Sequence, residues 1–381
     1  MRRALNLLPI LAVAACSGTG EAVEPGNAAA ATAAGGRPFA VQPVATFEEP
    51  WAMAAIPGSG RALVTERRGR LLLWEDGGAV TAVAGVPAVD YGGQGGLGDV
   101  VLHPRFAEND LVYLSWVEAG EGDTRGAVVG RARFVEGGDS GPRLEGLQVI
   151  WRQQNKVAGR GHFGHRIAFS PDGYLFISNG ERQKFDPAQD PAQTLGKIVR
   201  LRDDGTVPPD NPWASRGGVA AQFWTMGHRN PLGLAFASDG RLWEHEMGPA
   251  GGDEFNLIER GTNYGYPIVS NGNHYDGKDI PDHSTRPEFN APEISWTPVI
   301  SPSSLIFYTG SAFPAWRGSA LIGGLSSKAL IRVTISGDGA REAERFDMGE
   351  RIREVEQAPD GSIYLLEDGK SGRLLRLTPA R

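Results

Sequence analysis

One pattern recurs along the chain: a short apolar strand, a tight turn and a second apolar strand. The clearest copies turn at Pro171-Asp172-Gly173, Ser238-Asp239-Gly240 and Pro359-Asp360-Gly361. Asp-Gly marks a turn because Gly adopts positive φ at little cost and Asp hydrogen-bonds to its own backbone. Three further copies turn near residues 59, 109 and 318, so six units follow one another at a spacing of about 60 residues.

Six such units, each with a further outer pair of strands, predict an all-β fold. We expect a six-bladed β-propeller with four-stranded antiparallel blades, formed by residues 38–381. The 53 glycines and 26 prolines suit many short strands joined by tight turns. A β-sandwich with coincidental turns is the alternative, which the chain length and the number of units disfavour.

The N-terminus has the features of a targeting segment. Met1-Arg2-Arg3 is basic, and the apolar stretch from Leu5 to Ala15 is too short to cross a bilayer. Val13-Ala14-Ala15-Cys16 resembles a bacterial lipobox, with the single cysteine of the chain at the acylation position. We expect residues 1–16 to be a lipoprotein signal peptide and the protein to be periplasmic, anchored to the outer membrane through Cys16. An ordinary signal peptide with a chance cysteine is the alternative.

Composition limits the remaining possibilities. Residues 17–37 are rich in Ala, Gly and small polar residues and lack large apolar ones, which predicts a flexible linker. The formal net charge is −7. Nucleic-acid binding requires a basic surface, so this charge disfavours a nucleic acid as partner.

Polar residues stand just before the first strand of several units, where the loops of a propeller meet at one mouth. They are Gln94, His162, His165, Arg229, Asn230, Arg351 and Arg353. Arginine pairs bidentately with carboxylates and keeps its charge. Three arginines at one mouth of an acidic chain therefore predict a site for an anion with several acidic groups. Three separate structural ion pairs are the alternative.

Longer motifs surround these residues. They are Gly93-Gln-Gly-Gly-Leu97, His162-Phe-Gly164, Gly227-His-Arg-Asn-Pro231, Gly248-Pro-Ala-Gly-Gly-Asp-Glu-Phe-Asn256, Asn263-Tyr-Gly-Tyr-Pro267 and Arg351-Ile-Arg353. In number, order and spacing they resemble those of the soluble sugar dehydrogenases that depend on pyrroloquinoline quinone (PQQ), and within that family the aldose sugar dehydrogenase branch. The resemblance covers about residues 40–378 and implies a six-bladed propeller with PQQ at the channel mouth.

The resemblance also implies roles for the mouth residues. His162 is similar to the general base that takes the proton of the sugar C1 hydroxyl while hydride leaves C1 for the quinone C5. Histidine suits this role because its ordinary pKa lies near the working pH. Arg229 is similar to the residue that binds the quinone oxygen at C5. The implied contacts to the quinone and its carboxylates are Gln94, Arg229, Asn230, Arg351 and Arg353. An aldose would be oxidised to the lactone, and the electrons would pass to a quinone or cytochrome acceptor.

Two calcium sites are implied by the same resemblance. Gly248 and Pro249 match positions whose backbone carbonyls hold a calcium ion on PQQ. Carbonyl oxygens suit this hard cation, which activates the quinone as a Lewis acid. Glu254 and Tyr264 match a second, structural site, where we expect the Glu254 carboxylate and the Tyr264 carbonyl to be ligands.

The chain departs from the glucose dehydrogenase branch at several positions. That branch has an Asp directly before the catalytic His, where this chain has Gly161, so His165 or a loop carboxylate is left to orient His162. A cofactor-binding Lys is replaced by Ser326, and Lys328 lies two residues later. The loop after the fourth unit is shorter, which predicts a monomer with an open sugar site.

Two other functions remain open for this sequence. A calcium-dependent propeller lactonase or related hydrolase would need side-chain carboxylates and an Asn around a channel metal, whereas the mouth residues are rich in arginine. A propeller that binds a partner and has lost catalysis is compatible with Gly161 and Ser326. We therefore expect an oxidoreductase and retain these two alternatives.

Overall fold

The computed structural model of the chain describes residues 36–380. The predicted signal peptide, Cys16 and most of the predicted linker lie outside the described residues. Within the described range, none of the helices has the length and apolar character needed to span a bilayer.

The described residues form six sheets, each of four antiparallel strands, as the sequence predicts. Their strands are, in chain order, β1 (Phe39–Phe47), β2 (Pro50–Ile56), β3 (Arg61–Glu66), β4 (Arg70–Glu75), β5 (Val80–Val83), β6 (Leu97–Leu102), β7 (Leu111–Ala119), β8 (Arg125–Val135), β9 (Arg143–Arg152), β10 (Gly164–Phe169), β11 (Leu175–Asn179), β12 (Lys197–Leu201), β13 (Phe223–Met226), β14 (Pro231–Phe236), β15 (Leu242–Glu246), β16 (Asp253–Ile258), β17 (Ile294–Trp296), β18 (Pro302–Phe307), β19 (Ala320–Gly324), β20 (Ala329–Ser336), β21 (Gly339–Asp347), β22 (Ile352–Gln357), β23 (Ile363–Glu367) and β24 (Gly372–Pro379).

Helical structure among the described residues is confined to single turns in the connections. They are the α-helical turn Phe106–Asn109 and the 3-10 turns Gly138–Ser140, Asp186–Gln189, Ala214–Arg216, Gly218–Gln222, His283–Thr285 and Pro314–Trp316. The predicted Asp-Gly turns join the first and second strands of the third, fourth and sixth blades, so the repeat was interpreted correctly.

The sixth blade is assembled from both ends of the described chain. Strands β22, β23 and β24 supply three of its strands, and β1 supplies the fourth. Residues Phe39–Phe47 pair with Pro379–Gly372 in antiparallel register. The repeat predicts that each unit has its own outer strands, and the closure of the sixth blade by β1 differs from that prediction. It joins the two ends of the ring and leaves no gap between the first and sixth blades.

The first strands of the blades, β2, β6, β10, β14, β18 and β22, contact one another in a closed ring around the channel. Apolar side chains fill the spaces between blades, for example Trp51, Leu97 and Leu114 between the first and second. This burial supplies the main stabilising term of such a fold.

Arg166, on β10, lies buried in the channel and contacts all five other blades. Its partners are the Trp51 ring (4.1 Å), the Asp99 carboxylate (3.2 Å), the Leu232 carbonyl (2.8 Å), the Ser303 carbonyl (2.6 Å) and the Glu354 carboxylate (2.8 Å). Burial raises the pKa of Asp99 and raises that of Glu354 to about 8, and the guanidinium opposes both effects.

Replacing Arg166 by Met leaves Asp99 and Glu354 buried without their cation. Breaking a buried ion pair in this way costs about 3–5 kcal/mol of unfolding free energy. We expect a clear fall in the midpoint of thermal unfolding measured by calorimetry. Arg105→Met is the matched control, because Arg105 is exposed and pairs only at the surface. An Arg166 variant as stable as this control would contradict the role given to the channel arginine.

Candidate active site

Two adjacent pockets open at one mouth of the channel. The first has a volume of about 290 Å³ and is lined by Trp51, Arg67, Gly93, Gln94, Phe163, Gly164, His165, Leu232, Met247, Ser301, Leu325, Arg351, Arg353 and Asp368. The second has a volume of about 220 Å³ and is lined by His162, Glu181, Gln183, Phe185, Arg229, Pro249, Tyr266, His274, Tyr275 and Asp276. They share a wall, because the His162 amide donates to the Gln94 side-chain oxygen at 2.7 Å.

The structure thus divides the predicted mouth residues between two pockets. Gln94, His165, Arg351 and Arg353 line the first, His162 and Arg229 line the second, and Asn230 lines neither. The third arginine of the first pocket is Arg67, which follows β3 and which the sequence analysis missed. The lining residues carry three guanidinium groups and one carboxylate, that of Asp368, so the pocket wall carries net positive charge, although Arg67 also has the Glu49 carboxylate at 3.8 Å.

Arg351 and Arg353 are held by the same carboxylate. Their Nε atoms donate to Asp368 at 2.9 and 3.0 Å. Burial would raise the pKa of Asp368, but these two arginines lower it below its ordinary value. The ion pairs hold both guanidinium groups at the pocket wall and leave part of their positive charge for a ligand.

His162 lies just before β10 and is nearly buried, with a left-handed backbone at φ 50°. Its Nδ1 is hydrogen-bonded to the Glu181 carboxylate. Since an ionised carboxylate only accepts, Nδ1 carries the proton and Nε2 is left as the acceptor. Burial lowers the pKa of His162, and the hydrogen bond to Glu181 opposes this without reversing it. The imidazole is therefore neutral near pH 7 and can take a proton.

Glu181, directly after β11, is the carboxylate that orients His162. Burial alone would raise the pKa of Glu181, but the bond to His162 and the Phe185 amide (2.7 Å) bring it below its ordinary value. His165, the other candidate, points elsewhere: its Nδ1 is 2.7 Å from the Ser115 hydroxyl, and its ring stacks on Trp51. The sequence analysis left this assignment open between His165 and a loop carboxylate.

Arg229 also lines the second pocket. Its guanidinium donates to the Met247 carbonyl at 2.8 Å and to the Tyr275 hydroxyl at 3.3 Å. The backbone amides of Arg229 and Asn230 both donate to the Glu246 carboxylate, which fixes the turn. The Asn230 side chain is buried, and neither its oxygen nor its nitrogen has a hydrogen-bond partner among the described residues.

The turn that contains Gly248 and Pro249 is crowded by carbonyl groups. A Cβ at Gly248 would lie 2.3 and 2.2 Å from the Gly251 and Gly252 oxygens. The Gly248 amide is held by Asp253 at 2.9 Å. Pro249 lines the second pocket. Carbonyl oxygens gathered in this way suit a hard cation.

Glu254 belongs to a buried acidic cluster behind the second pocket. The side-chain amide of Asn256 donates to Glu244 (3.0 Å) and to Glu254 (3.3 Å). One oxygen of Glu244 and the Asn256 oxygen have no hydrogen-bond partner among the described residues. The pKa values of Glu244 and Glu254 are both well above the ordinary value of a glutamate. Burial is the main cause, and the negative charge of Glu246 is the second.

Other potential ligands surround this cluster. Ligand atoms of His228, Glu244 and Glu246 lie within 4.8 Å of one another. The Tyr264 carbonyl, a predicted ligand, is 3.1 Å from Nε2 of His283. Only Glu254 and Tyr264 were predicted from the sequence as ligands at this cluster. The alternation of Glu244, Glu246, Glu254 and Asn256 on the paired strands β15 and β16 is the signal that would have extended the set.

Lys328 does not line either pocket. Its ammonium group donates to the Gly349 carbonyl at 3.1 Å and lies 3.8 Å from Glu350, and half of its side chain is exposed. Ser326 bonds to the Val299 carbonyl. In this arrangement Arg67, and not Lys328, supplies the additional cation of the first pocket.

The chain is similar to known proteins over most of its length. The profile of the family described as Glucose / Sorbosone dehydrogenase matches residues 47–376. Aldose sugar dehydrogenase YliI of Escherichia coli (strain K12) is 39% identical over 341 residues, which cover 87% of this chain and 91% of that protein.

Solved structures are also similar to this chain over most of its length. A crystal structure of a glucose dehydrogenase has a TM-score of 0.85 and 44% identity and covers 90% of this chain and 100% of its own. The PQQ-bound form of an aldose sugar dehydrogenase from Streptomyces coelicolor has a TM-score of 0.74 and 29% identity. It covers 89% of this chain and 98% of its own.

The contact between Glu181 and His162 can be tested by titration. Glu181→Gln removes a negative charge that stabilises the imidazolium ion, so the pKa of His162 should fall further below its ordinary value. The measurement is an NMR titration of the His162 ring, with Glu108→Gln as the control because that carboxylate is exposed. A pKa of His162 that is unchanged or higher in Glu181→Gln would show that the carboxylate does not act on the base.

Proposed function

The chain belongs to the glucose and sorbosone dehydrogenase family and is a sugar dehydrogenase, and we propose that it oxidises aldoses at C1 to the lactone with PQQ. The observation that carries this proposal is the His162–Glu181 pair directly beside a pocket lined by arginines. One pocket then binds the cofactor and the other the sugar, and the base lies where the two meet.

The first pocket fits PQQ in charge and shape. Arg67, Arg351 and Arg353 provide the positive charge that a quinone with several carboxylates requires. Its volume of about 290 Å³ is just below the roughly 300–1,000 Å³ typical of small-molecule sites. When bound, PQQ accepts the hydride, which is chemistry that amino-acid side chains do not supply. Gln94 and Asn230 would add amide contacts to it.

His162 acts as the general base. Its Nε2 takes the proton of the C1 hydroxyl as hydride leaves C1, and the resulting imidazolium ion is stabilised by Glu181. Arg229 lines the second pocket together with His162. Its guanidinium is already fixed by the Met247 carbonyl. It can therefore stabilise the negative charge that develops on the quinone oxygen without reorganising.

The second pocket fits a sugar. Phe185 and Tyr275 are 43% and 76% exposed and both line it, beside Tyr266. Exposed aromatic rings at the rim of a pocket mark a binding surface and not a stabilising core. They would pack on the apolar face of a sugar ring, and the polar groups of Gln183, His274 and Asp276 are available for hydroxyl groups.

Calcium binding is also proposed at two places. The Gly248 and Pro249 carbonyls would hold an ion against PQQ, where it would act as a Lewis acid. Glu254, with Glu244, Asn256 and the Tyr264 carbonyl, would hold a second, structural ion. The unpartnered oxygens of Glu244 and Asn256 support the second site, because a buried acceptor without a donor is costly unless a cation satisfies it.

We further propose that the protein is a periplasmic monomer anchored to the outer membrane through acylated Cys16. Electrons would leave for a quinone or cytochrome acceptor. The lipobox-like sequence around Cys16 supports the anchor. The propeller lactonase alternative would need carboxylates and an Asn around a channel metal. The first pocket instead has three arginines and one carboxylate, which favours an anionic cofactor.

Replacing His162 separates catalysis from cofactor binding. In His162→Asn, reconstituted with PQQ and Ca²⁺, turnover measured by dye reduction with a panel of aldoses should fall by about 10²–10⁴-fold. The affinity for PQQ, measured by fluorescence titration, should stay within about threefold of wild type, because the arginines of the first pocket are unchanged. Loss of PQQ binding would show that His162 holds the cofactor. Absence of PQQ-dependent reduction with every aldose in wild type would refute the proposed function.

The buried acidic cluster can be tested without PQQ. An ion that binds only the folded state at 100 times its Kd stabilises that state by about 2.7 kcal/mol. Calcium should therefore raise the thermal unfolding midpoint of wild type and of Glu108→Gln, and should have little effect on Glu244→Gln. If calcium raises the midpoint of Glu244→Gln as much as that of wild type, the second site lies elsewhere.

A further inference from the structure

The segment between β11 and β12, residues 180–196, forms much of the second pocket, and we call it the substrate loop. It contributes Glu181, Gln183 and Phe185 to the pocket wall. Arg182, Gln183 and Phe185 all have a left-handed backbone, with φ values of 63°, 59° and 63°. Such conformations are costly for side chains other than Gly and persist only where the surroundings enforce them. The contacts that enforce them here come from two buried cations.

Lys197, the first residue of β12, is fully buried and holds the second half of the loop. Its ammonium group donates to the carbonyls of Pro187 (2.9 Å), Ala188 (2.9 Å) and Leu195 (2.7 Å). These carbonyls lie on both arms of the loop, so one side chain joins the arms. An ammonium group has three donors, and all three are used. Burial lowers the pKa of Lys197 to about 7, and Asp190 opposes this.

Arg182 is also fully buried and holds the first half. Its guanidinium donates to the carbonyls of Gly161 (2.8 Å), Arg125 (2.8 Å) and Gly159 (2.5 Å) and lies 3.8 Å from the centre of the Phe163 ring. Burial lowers its pKa to about 10. Gly161 directly precedes His162, and Glu181 directly precedes Arg182. The guanidinium thus connects the backbone of the base to that of its orienting carboxylate.

Neither cation has a carboxylate within hydrogen-bonding distance among the described residues. A buried charge normally requires an opposite charge or complete hydrogen bonding. Here each charge is met by three backbone carbonyls, and that of Arg182 also by the Phe163 ring. Such a contact fixes the path of the main chain whatever side chains the loop carries. It therefore leaves Gln183 and Phe185 free to face the pocket.

We propose that Lys197 and Arg182 are positioning residues for sugar oxidation: Lys197 fixes the Pro187–Ala188 stretch that directly follows the pocket-lining Phe185, and Arg182 fixes the base. The proposal rests on the proposed function, since it assigns the second pocket to the sugar. Loss of the Lys197 ammonium group should weaken sugar binding. Loss of the planar Arg182 guanidinium group should slow proton removal by His162. The two variants therefore affect different kinetic constants.

The kinetic test compares Lys197→Met and Arg182→Lys in the PQQ- and calcium-loaded enzyme. Lys197→Met should raise KM for the aldose by about tenfold or more with kcat within about threefold, because small displacements of a binding wall cost this much. Arg182→Lys keeps the charge but loses the planar guanidinium group that reaches three carbonyls, and should lower kcat by about tenfold or more with KM little changed.

Arg202→Met is the control, because Arg202 is an exposed cation directly after the other end of β12. Equal changes of KM and kcat in both variants would overturn the division of roles.

Hydrogen exchange of the apo-protein tests the same contacts without any activity. Peptides covering residues 182–196 should exchange faster in Lys197→Met than in wild type or Arg202→Met, while peptides of the other five blades should be unchanged. If Lys197→Met does not fold, Lys197→Gln retains part of the hydrogen bonding and should show an intermediate increase. Unchanged exchange of the loop would overturn the proposal. Faster loop exchange in a protein that oxidises no sugar would support the contacts and count against the proposed function instead.

Discussion

A single buried guanidinium organises the channel around which the protein is built. Arg166 reaches from the third blade to two carboxylates, two carbonyls and one aromatic ring, one from each of the other blades. The Trp51 ring contacts both this guanidinium and the His165 ring, and both aromatic side chains line the first pocket. The same contact that joins the six blades therefore supports the floor of the proposed cofactor site.

The fold could be predicted because the repeating unit is determined by residues that are adjacent in the sequence. Each Asp-Gly turn and each apolar strand is specified by neighbouring residues, so counting them gave six blades. The closure of the ring could not be found in this way. Strand Phe39–Phe47 pairs with Gly372–Pro379, more than 300 residues away in the chain, and neither strand carries a local signal for the other.

Only part of the site could be predicted, because only one of the two sets of loops at the channel mouth was considered. Loops before the first strands were known to share a mouth, which identified Gln94, His162 and Arg351. The turns between second and third strands meet at the same mouth, and these contribute Arg67, Glu181 and Asp368. Including those turns would have identified the partner of His162 as a carboxylate. The distance between residues 162 and 181 in the sequence conceals a contact that exists only once β10 and β11 are paired.

The central claim is that a sugar in the second pocket gives up hydride from C1 while His162 takes the hydroxyl proton. The most direct measurement is a stopped-flow experiment without electron acceptor, in which the PQQ- and calcium-loaded protein is mixed with an aldose that it turns over in the dye-reduction assay or with the same aldose deuterated at C1. We predict that cofactor reduction follows mixing and is several-fold slower with the deuterated sugar. Reduction at the same rate with both sugars, or no reduction with either, would contradict the account.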